Sequence, residues 1–289
     1  MKPSRLSIIG VGLLGGSIGL AVKASAMGCR VVGYGHRATT MAKALEVGAI
    51  DEAAASIGEA VQGADLVVLC TPVGLFEQNL KDIAALLERG AIVTDVGSTK
   101  RSVVRLAQTL LPQHVRFVGS HPMAGSEKRG VEFARTDLFQ GARCITTPTD
   151  QTDPAALESV EKFWQTLGMR VTRLSPEDHD RLICDVSHLP HAVAAALVAM
   201  QDDAALPLAG KGFLDAARIA GGDGGLWRDI FLDNRDHLRA SASRLRQTLD
   251  ELLGLLEPGR EEALRTWLDD AATRRERLVQ QKLRELNPD

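Results

Sequence analysis

Aromatic residues are scarce: they make up 4% of the 289 residues, and Tyr34 is the single tyrosine. A protein that follows single-stranded nucleic acid by stacking bases needs many rings, so that class is disfavoured. The core must come mainly from Ala, Val, Leu and Ile. Positive charge is not in excess either, with 34 Lys and Arg against 37 Asp and Glu and a formal net charge of −3. No overall basic charge is left to hold a phosphate backbone, and no nucleic-acid partner is expected. The four cysteines, Cys29, Cys70, Cys144 and Cys184, lie far apart without a CxxC pair. That pattern argues against a zinc knuckle or a disulfide framework and fits reduced thiols in a cytoplasmic protein. No uninterrupted apolar run reaches the ~18–20 residues of a membrane span, so no membrane partner is expected. Lys2, Arg5, an apolar stretch to Val22 and Ala24-Ser25-Ala26 outline a secretory signal, but Gly10, Gly12, Gly15, Gly16 and Gly19 argue against a signal helix.

What is present reads as two domains. Up to about residue 174, short β-branched runs alternate with helical patterns. Strand candidates are Leu6–Gly10, Arg30–Tyr34, Leu66–Cys70, Ala91–Asp95, Val115–Val118, Cys144–Thr147 and Arg170–Leu174. Strands alternating with helices predict a parallel, doubly wound sheet in an α/β fold. Pro154–Leu167 is one such helix, capped by Asp153, with Leu157, Val160, Trp164 and Leu167 on one face. From 175 to 289 no strand is expected. Glu177–Met200 reads as helix with a kink at Pro190. Leucine stripes follow at 245–256 and from Leu264, to pack within the chain or against a second copy. The expected domains are therefore 1–174, α/β, and 175–289, all-α.

Gly10-Val11-Gly12-Leu13-Leu14-Gly15 sits between a strand and a helix. There Gly10 permits the tight turn, Gly12 lets a pyrophosphate approach, and Gly15 lets helix and strand pack closely. After the second strand, where an Asp or Glu would bond a ribose 2′-hydroxyl, the chain reads Gly35-His36-Arg37. His36 and Arg37 suit a 2′-phosphate, so the reading leans to NADP over NAD. Thr71 and Pro72 follow another strand and should line the same crevice. Ser98, in Asp95–Lys100, reads as a helix cap, a hydroxyl directed into the crevice, or both, the cap being favoured by residue type. His121 at a strand end is a candidate general base, with a structural role as the alternative. His188 and His191 lie at i and i+3; no metal-ligand spacing emerges around them, and no metal is expected. Arg218 reads as a surface ion-pair residue or a carboxylate clamp. Trp227 reads as core or pocket wall.

Gly10–Ser17, Thr71-Pro72-Val73, Asp95–Lys100, His121–Gly130, Ser187–His191, Arg218-Ile219-Ala220 and Trp227–Phe231 together resemble the prephenate/arogenate dehydrogenase family of tyrosine biosynthesis. The resemblance implies a Rossmann-type N-terminal domain, a helical C-terminal domain and a homodimer. It implies oxidative decarboxylation of prephenate to 4-hydroxyphenylpyruvate with hydride transfer to NAD(P), or the same chemistry on arogenate. His121 matches the catalytic histidine, Ser98 the serine that orients it and the cofactor, and Arg218 the arginine that binds substrate carboxylate. Ser126, His188 and His191 fall in pocket-lining motifs; Glu127, Lys128 and Trp227 would shape the entrance or wall. On length, neither a fused chorismate mutase nor a full regulatory domain is expected. A β-hydroxyacid dehydrogenase and a non-catalytic NAD(P) sensor are the rival readings.

Overall fold

The computed structural model describes residues 3–125 and 128–286. Ser126 and Glu127 lie outside the described residues. The chain divides into two compact units, Met1–Arg235 and Asp236–Asp289.

In the first unit the chain runs β1 (Arg5–Ile9), α1 (Leu13–Ala24), β2 (Arg30–Tyr34), α2 (Ala38–Glu46), β3 (Glu52–Ala53), α3 (Ile57–Val61), β4 (Leu66–Leu69), α4 (Phe76–Ala84), β5 (Ile92–Asp95), α5 (Arg101–Leu110), β6 (Arg116–Pro122), β7 (Arg143–Thr147), α6 (Pro154–Thr166) and β8 (Arg170–Arg173). The strands form one sheet in the order β3-β2-β1-β4-β5-β6-β7-β8. All seven strands expected from sequence are present; the two-residue β3 carried too little pattern to be read. β4 and β5 are buried at every position. That is the mark of parallel strands covered on both faces. Successive residues point to opposite faces, so Leu66 and Val68 enter one core with Ile18, Val160 and Trp164. Val67 and Leu69 enter the other with Phe76, Leu80 and Val103.

The sheet departs from an all-parallel one at β7, which pairs antiparallel to β6. Between them residues 123–142 carry only a short 3-10 turn, Val131–Phe133, among the described residues. A parallel return needs a crossover, usually a helix, and none is described there. α6 supplies the next crossover, and β8 is parallel to β7. Asp153 caps α6 as expected, accepting the Ala156 amide at 2.8 Å.

The helical part of this unit comprises α7 (Pro176–Ile183), a π turn (Cys184–His188), α8 (Leu189–Ala199), α9 (Lys211–Ala217), a 3-10 turn (Arg218–Gly221) and α10 (Gly224–Asp233). α7 packs against α5 and β7. The expected kink at Pro190 takes the form of the π turn, where the Leu189 amide bonds Cys184 O. The wider turn absorbs the mismatch left by a proline that cannot donate. The continuous helical run Pro176–Ala199 is long and apolar enough by length and composition to cross a membrane, although Asp185, His188 and His191 interrupt its apolar sequence. Its hydropathy comes largely from the Ala- and Val-rich end. His179 and Asp180 near its start and His188 at its middle are buried in a hydrogen-bonded polar cluster, which a lipid-facing helix would not carry.

The second unit contains most of α11 (Arg235–Leu255) and all of α12 (Glu261–Leu286). Its leucine stripes are open: Leu249 is 50%, Leu253 61% and Leu268 52% exposed.

Candidate active site

The strand order sets β1, β4, β5 and β6 side by side. Their carboxyl ends carry, in a row, the glycine turn, Cys70-Thr71, Val96–Ser98 and His121. Ligands of open parallel sheets bind along that edge.

The three glycines have three different surroundings. Gly10 has φ +98°, and a Cβ there would lie 2.8 Å from the Cys70 carbonyl carbon. A Cβ on Gly15 would lie 2.3 Å from Gly10 O. A Cβ on Gly12 would meet nothing within 4 Å. Gly12 therefore faces open space at the first turn of α1, where free amides and the positive dipole end attract a phosphate. Leu13 and Leu14 begin that helix, and Leu14 packs on the core. His36 and Arg37 are exposed beyond β2, beside this turn, whose Gly10 amide bonds Tyr34 O at 2.8 Å. The Thr71 hydroxyl accepts from Asn79 Nδ2 at 2.7 Å, and Pro72 opens the following turn. The residues present fit a dinucleotide.

His121, the penultimate residue of β6, is 8% exposed. Its Nδ1 lies 2.9 Å from His179 Nε2, and His179 Nδ1 lies 2.8 Å from Asp180 Oδ1. Asp180 in turn accepts the amides of Lys100 and Arg101 at 2.7 and 2.9 Å. Ser98 is thus not the cap of α5. The amides of Lys100 and Arg101 at the start of α5 are satisfied by a carboxylate from α7, and the Ser98 hydroxyl makes no hydrogen bond among the described residues. Burial, reinforced by the nearby Lys100 charge, holds His121 well below the ordinary histidine range. It is therefore neutral at pH 7 and able to accept a proton.

Above the strand ends, Asn234 Nδ2 donates to Asp180 O at 2.8 Å and to His188 Nδ1 at 3.1 Å. Burial pushes His188 down to about 4. His191 stacks on Trp227, with 3.5 Å between ring centroids and 25° between planes. Trp227 is half-buried. Burial lowers His191 as well, and the nearby Arg218 charge adds to the shift. Arg218 opens the 3-10 turn after α9 and is exposed. His121, His188, His191, Trp227 and Arg218 thus form one connected constellation. The Lys128 ammonium lies 5.2 Å from the Phe133 ring centroid.

No motif or spacing in the sequence marks His179, Asp180 or Asn234 as site residues. The run Asp178-His179-Asp180 was legible as polar residues within a helix, but nothing in its spacing points to β6.

Residues 18–173 match the family model described as prephenate dehydrogenase, nucleotide-binding domain. Residues 175–270 match the model described as prephenate dehydrogenase, dimerization domain. The chain belongs to the prephenate dehydrogenase family. A prephenate dehydrogenase of Bacillus subtilis is 40% identical over 82% of this chain and 66% of its own length. A prephenate dehydrogenase structure from Aquifex aeolicus, in complex with hydroxyphenyl propionate and NAD+, has a TM-score of 0.89 at 36% identity, covering 95% of this chain and 98% of that one. An arogenate dehydrogenase structure from Synechocystis has a TM-score of 0.82 at 32% identity, covering 95% and 99%. Family membership accounts for the pairing of a nucleotide-binding sheet with a helical half.

Proposed function

We propose that the protein converts prephenate to 4-hydroxyphenylpyruvate and CO2 with NAD(P)+ as hydride acceptor, and that the homodimer it forms works in the cytoplasm. The observation that carries this reading is a neutral, buried His121 at the strand edge that also holds the dinucleotide turn. Bound NAD(P)+ supplies the acceptor for the hydride leaving ring C4. His121 takes the C4 hydroxyl proton as that hydrogen departs, and a carbonyl forms. The ring–carboxylate bond then breaks, its electron pair enters the ring, CO2 leaves, and the carbonyl oxygen becomes the phenol oxygen. That oxygen takes the proton back from His121, so no net proton is released. Ser98 orients His121 and the cofactor, and Arg218 clamps a substrate carboxylate. His188, His191 and Trp227 line the pocket, with Lys128 at its entrance; roles for Ser126 and Glu127 rest on the family resemblance alone.

The domains divide by role near 174, with 1–174 for the cofactor and 175–289 for substrate and dimerisation. The leucines open on α11 and α12 support dimerisation there. His36 and Arg37 favour NADP. Arogenate is the second substrate reading, supported by the likeness to the Synechocystis enzyme. A purified-enzyme assay crossing prephenate and arogenate with NAD+ and NADP+, read by reduced-cofactor absorbance, tests all of this. Turnover of prephenate, largely lost in His121→Asn with cofactor binding retained, is the expected result. Cofactor binding without turnover of either substrate would point to a sensor instead.

A further inference from the structure

We infer that His179 and Asp180 are positioning residues that lock His121 in the tautomer whose Nε2 is bare. The inference rests on the reading of His121 as the base and adds how its working nitrogen is chosen.

The direction of the hydrogen bonds follows from their far end. An ionised carboxylate only accepts. Asp180 already takes two α5 amides, at 2.7 and 2.9 Å, and its Oδ1 lies 2.8 Å from His179 Nδ1. His179 Nδ1 must therefore carry hydrogen. A neutral His179 then has a lone pair on Nε2, which lies 2.9 Å from His121 Nδ1. His121 Nδ1 must donate, and its one remaining nitrogen, Nε2, has no hydrogen. An acceptor-only group two rings away thus sets the tautomer of the base.

The surroundings keep this chain from reversing. His179 and Asp180 are 0% and 1% exposed, so solvent cannot replace either bond. Burial works against the Asp180 charge, but the His179 hydrogen bond and the Arg101 and Lys100 amides outweigh it and hold the carboxyl below its usual range. Burial also keeps His179 below the ordinary histidine range, and so neutral. Lys100, Asp95, His188 and Cys144 are the other titratable groups facing the pair. Lys100 is held by Asp95, so its ammonium does not compete for Asp180. When His121 takes a proton at Nε2, the positive charge spreads toward His179 and is countered by Asp180. The reaction returns that proton to the same oxygen, so a sealed chain suffices and no exit is needed.

Two measurements on the full chain test the inference. In wild-type protein labelled with 15N at histidine, NMR should show His121 and His179 both protonated at Nδ1 and bare at Nε2, with spectra of His121→Asn and His179→Gln giving the assignments. His121 protonated at Nε2, or a cationic His179 at pH 7, overturns it. In kinetics, His179→Leu should lower kcat by about 10²–10⁴-fold, the span of a positioned proton transfer, with KM within about two-fold. His179→Gln can still accept from His121 Nδ1, so it should recover much of kcat. Its acid limb should nevertheless move to lower pH, because the Asp180 charge no longer reaches the base. Wild-type kcat in His179→Leu, or an unmoved acid limb in His179→Gln, overturns the inference even if one variant fails to fold, since the wild-type spectrum stands by itself. If His121→Asn keeps its kcat, the base reading fails while the spectrum still reports the tautomer. If His121→Asn is inactive and His121 carries hydrogen on Nε2, only the present inference fails.

Discussion

The ammonium of Lys100 is paired with the carboxylate of Asp95, and both side chains are 0% exposed. Asp95 also accepts the amides of Gly97 at 2.8 Å and Ser120 at 3.0 Å, so this pair ties the β5 end to β6 beneath His121. Breaking a buried pair from one side leaves an uncompensated charge. Lys100→Met should therefore cost about 3–5 kcal/mol in urea unfolding. Asp95→Asn combined with Lys100→Met should recover part of that loss, because no lone charge remains. A single variant within about 1 kcal/mol of wild type would mean that water or another cation reaches Asp95.

The glycine turn separates folding from binding. Gly15→Ala drives a Cβ to within 2.3 Å of a backbone oxygen that cannot yield, so it should lower the melting temperature. Gly12→Ala meets open space, so it should melt near wild type and lose NAD(P)H affinity by fluorescence titration. Unchanged affinity in Gly12→Ala would move the pyrophosphate elsewhere.

Much of this was legible in the sequence, for identifiable reasons. Strands buried on both faces are short apolar runs, and the glycine motif is local, so β1, β4, β5 and the turn at Gly10 needed no tertiary knowledge. The antiparallel β7 was not legible, because its direction depends on what lies between 123 and 142. Nor were Asp180 and Asn234. Asp180 acts across 80 residues on the Lys100 amide, and Asn234 across 54 on Asp180 O. Ser98 reads as a cap by its residue type alone, and only packing reveals that a distant carboxylate has taken that task.

The exposed Arg37 side chain at the β2 end carries the leaning toward NADP. Arg37→Ala should raise the KM for NADP+ while leaving that for NAD+ nearly unchanged, since only NADP+ brings a 2′-phosphate to a guanidinium. Equal effects on both would remove Arg37 from cofactor selection.

Arg218 and Trp227 meet at His191, one through charge and the other through stacking. A charge-assisted hydrogen bond contributes about 1.5–3 kcal/mol. Arg218→Ala should accordingly raise the KM for prephenate roughly 10–150-fold by loss of a carboxylate contact. Trp227→Phe keeps a ring over His191 and should cost far less than Trp227→Ala. An unchanged KM in Arg218→Ala would put the substrate carboxylate on another residue.

Three histidines of the site, His121, His179 and His188, are held below the ordinary range, burial being the first cause in each. A histidine with a depressed folded pKa contributes its full stability above the unfolded value, near 6.5. Below that the unfolded chain takes up protons that the native state refuses, so stability falls with falling pH. For His188 the loss runs from about 6.5 to about 4 and then levels off. Within that window each such histidine steepens the dependence by roughly 1.4 kcal/mol per pH unit. Carboxylates with lowered values, such as Asp180, act later, as pH falls below about 3.9. Urea unfolding between pH 7.5 and about 4.5 should show stability declining from about 6.5 downward. His188→Gln should make that decline shallower by close to one proton. A flat profile over the interval would mean that these rings already carry protons in the folded state, which would also deprive His121 of the bare nitrogen its role requires.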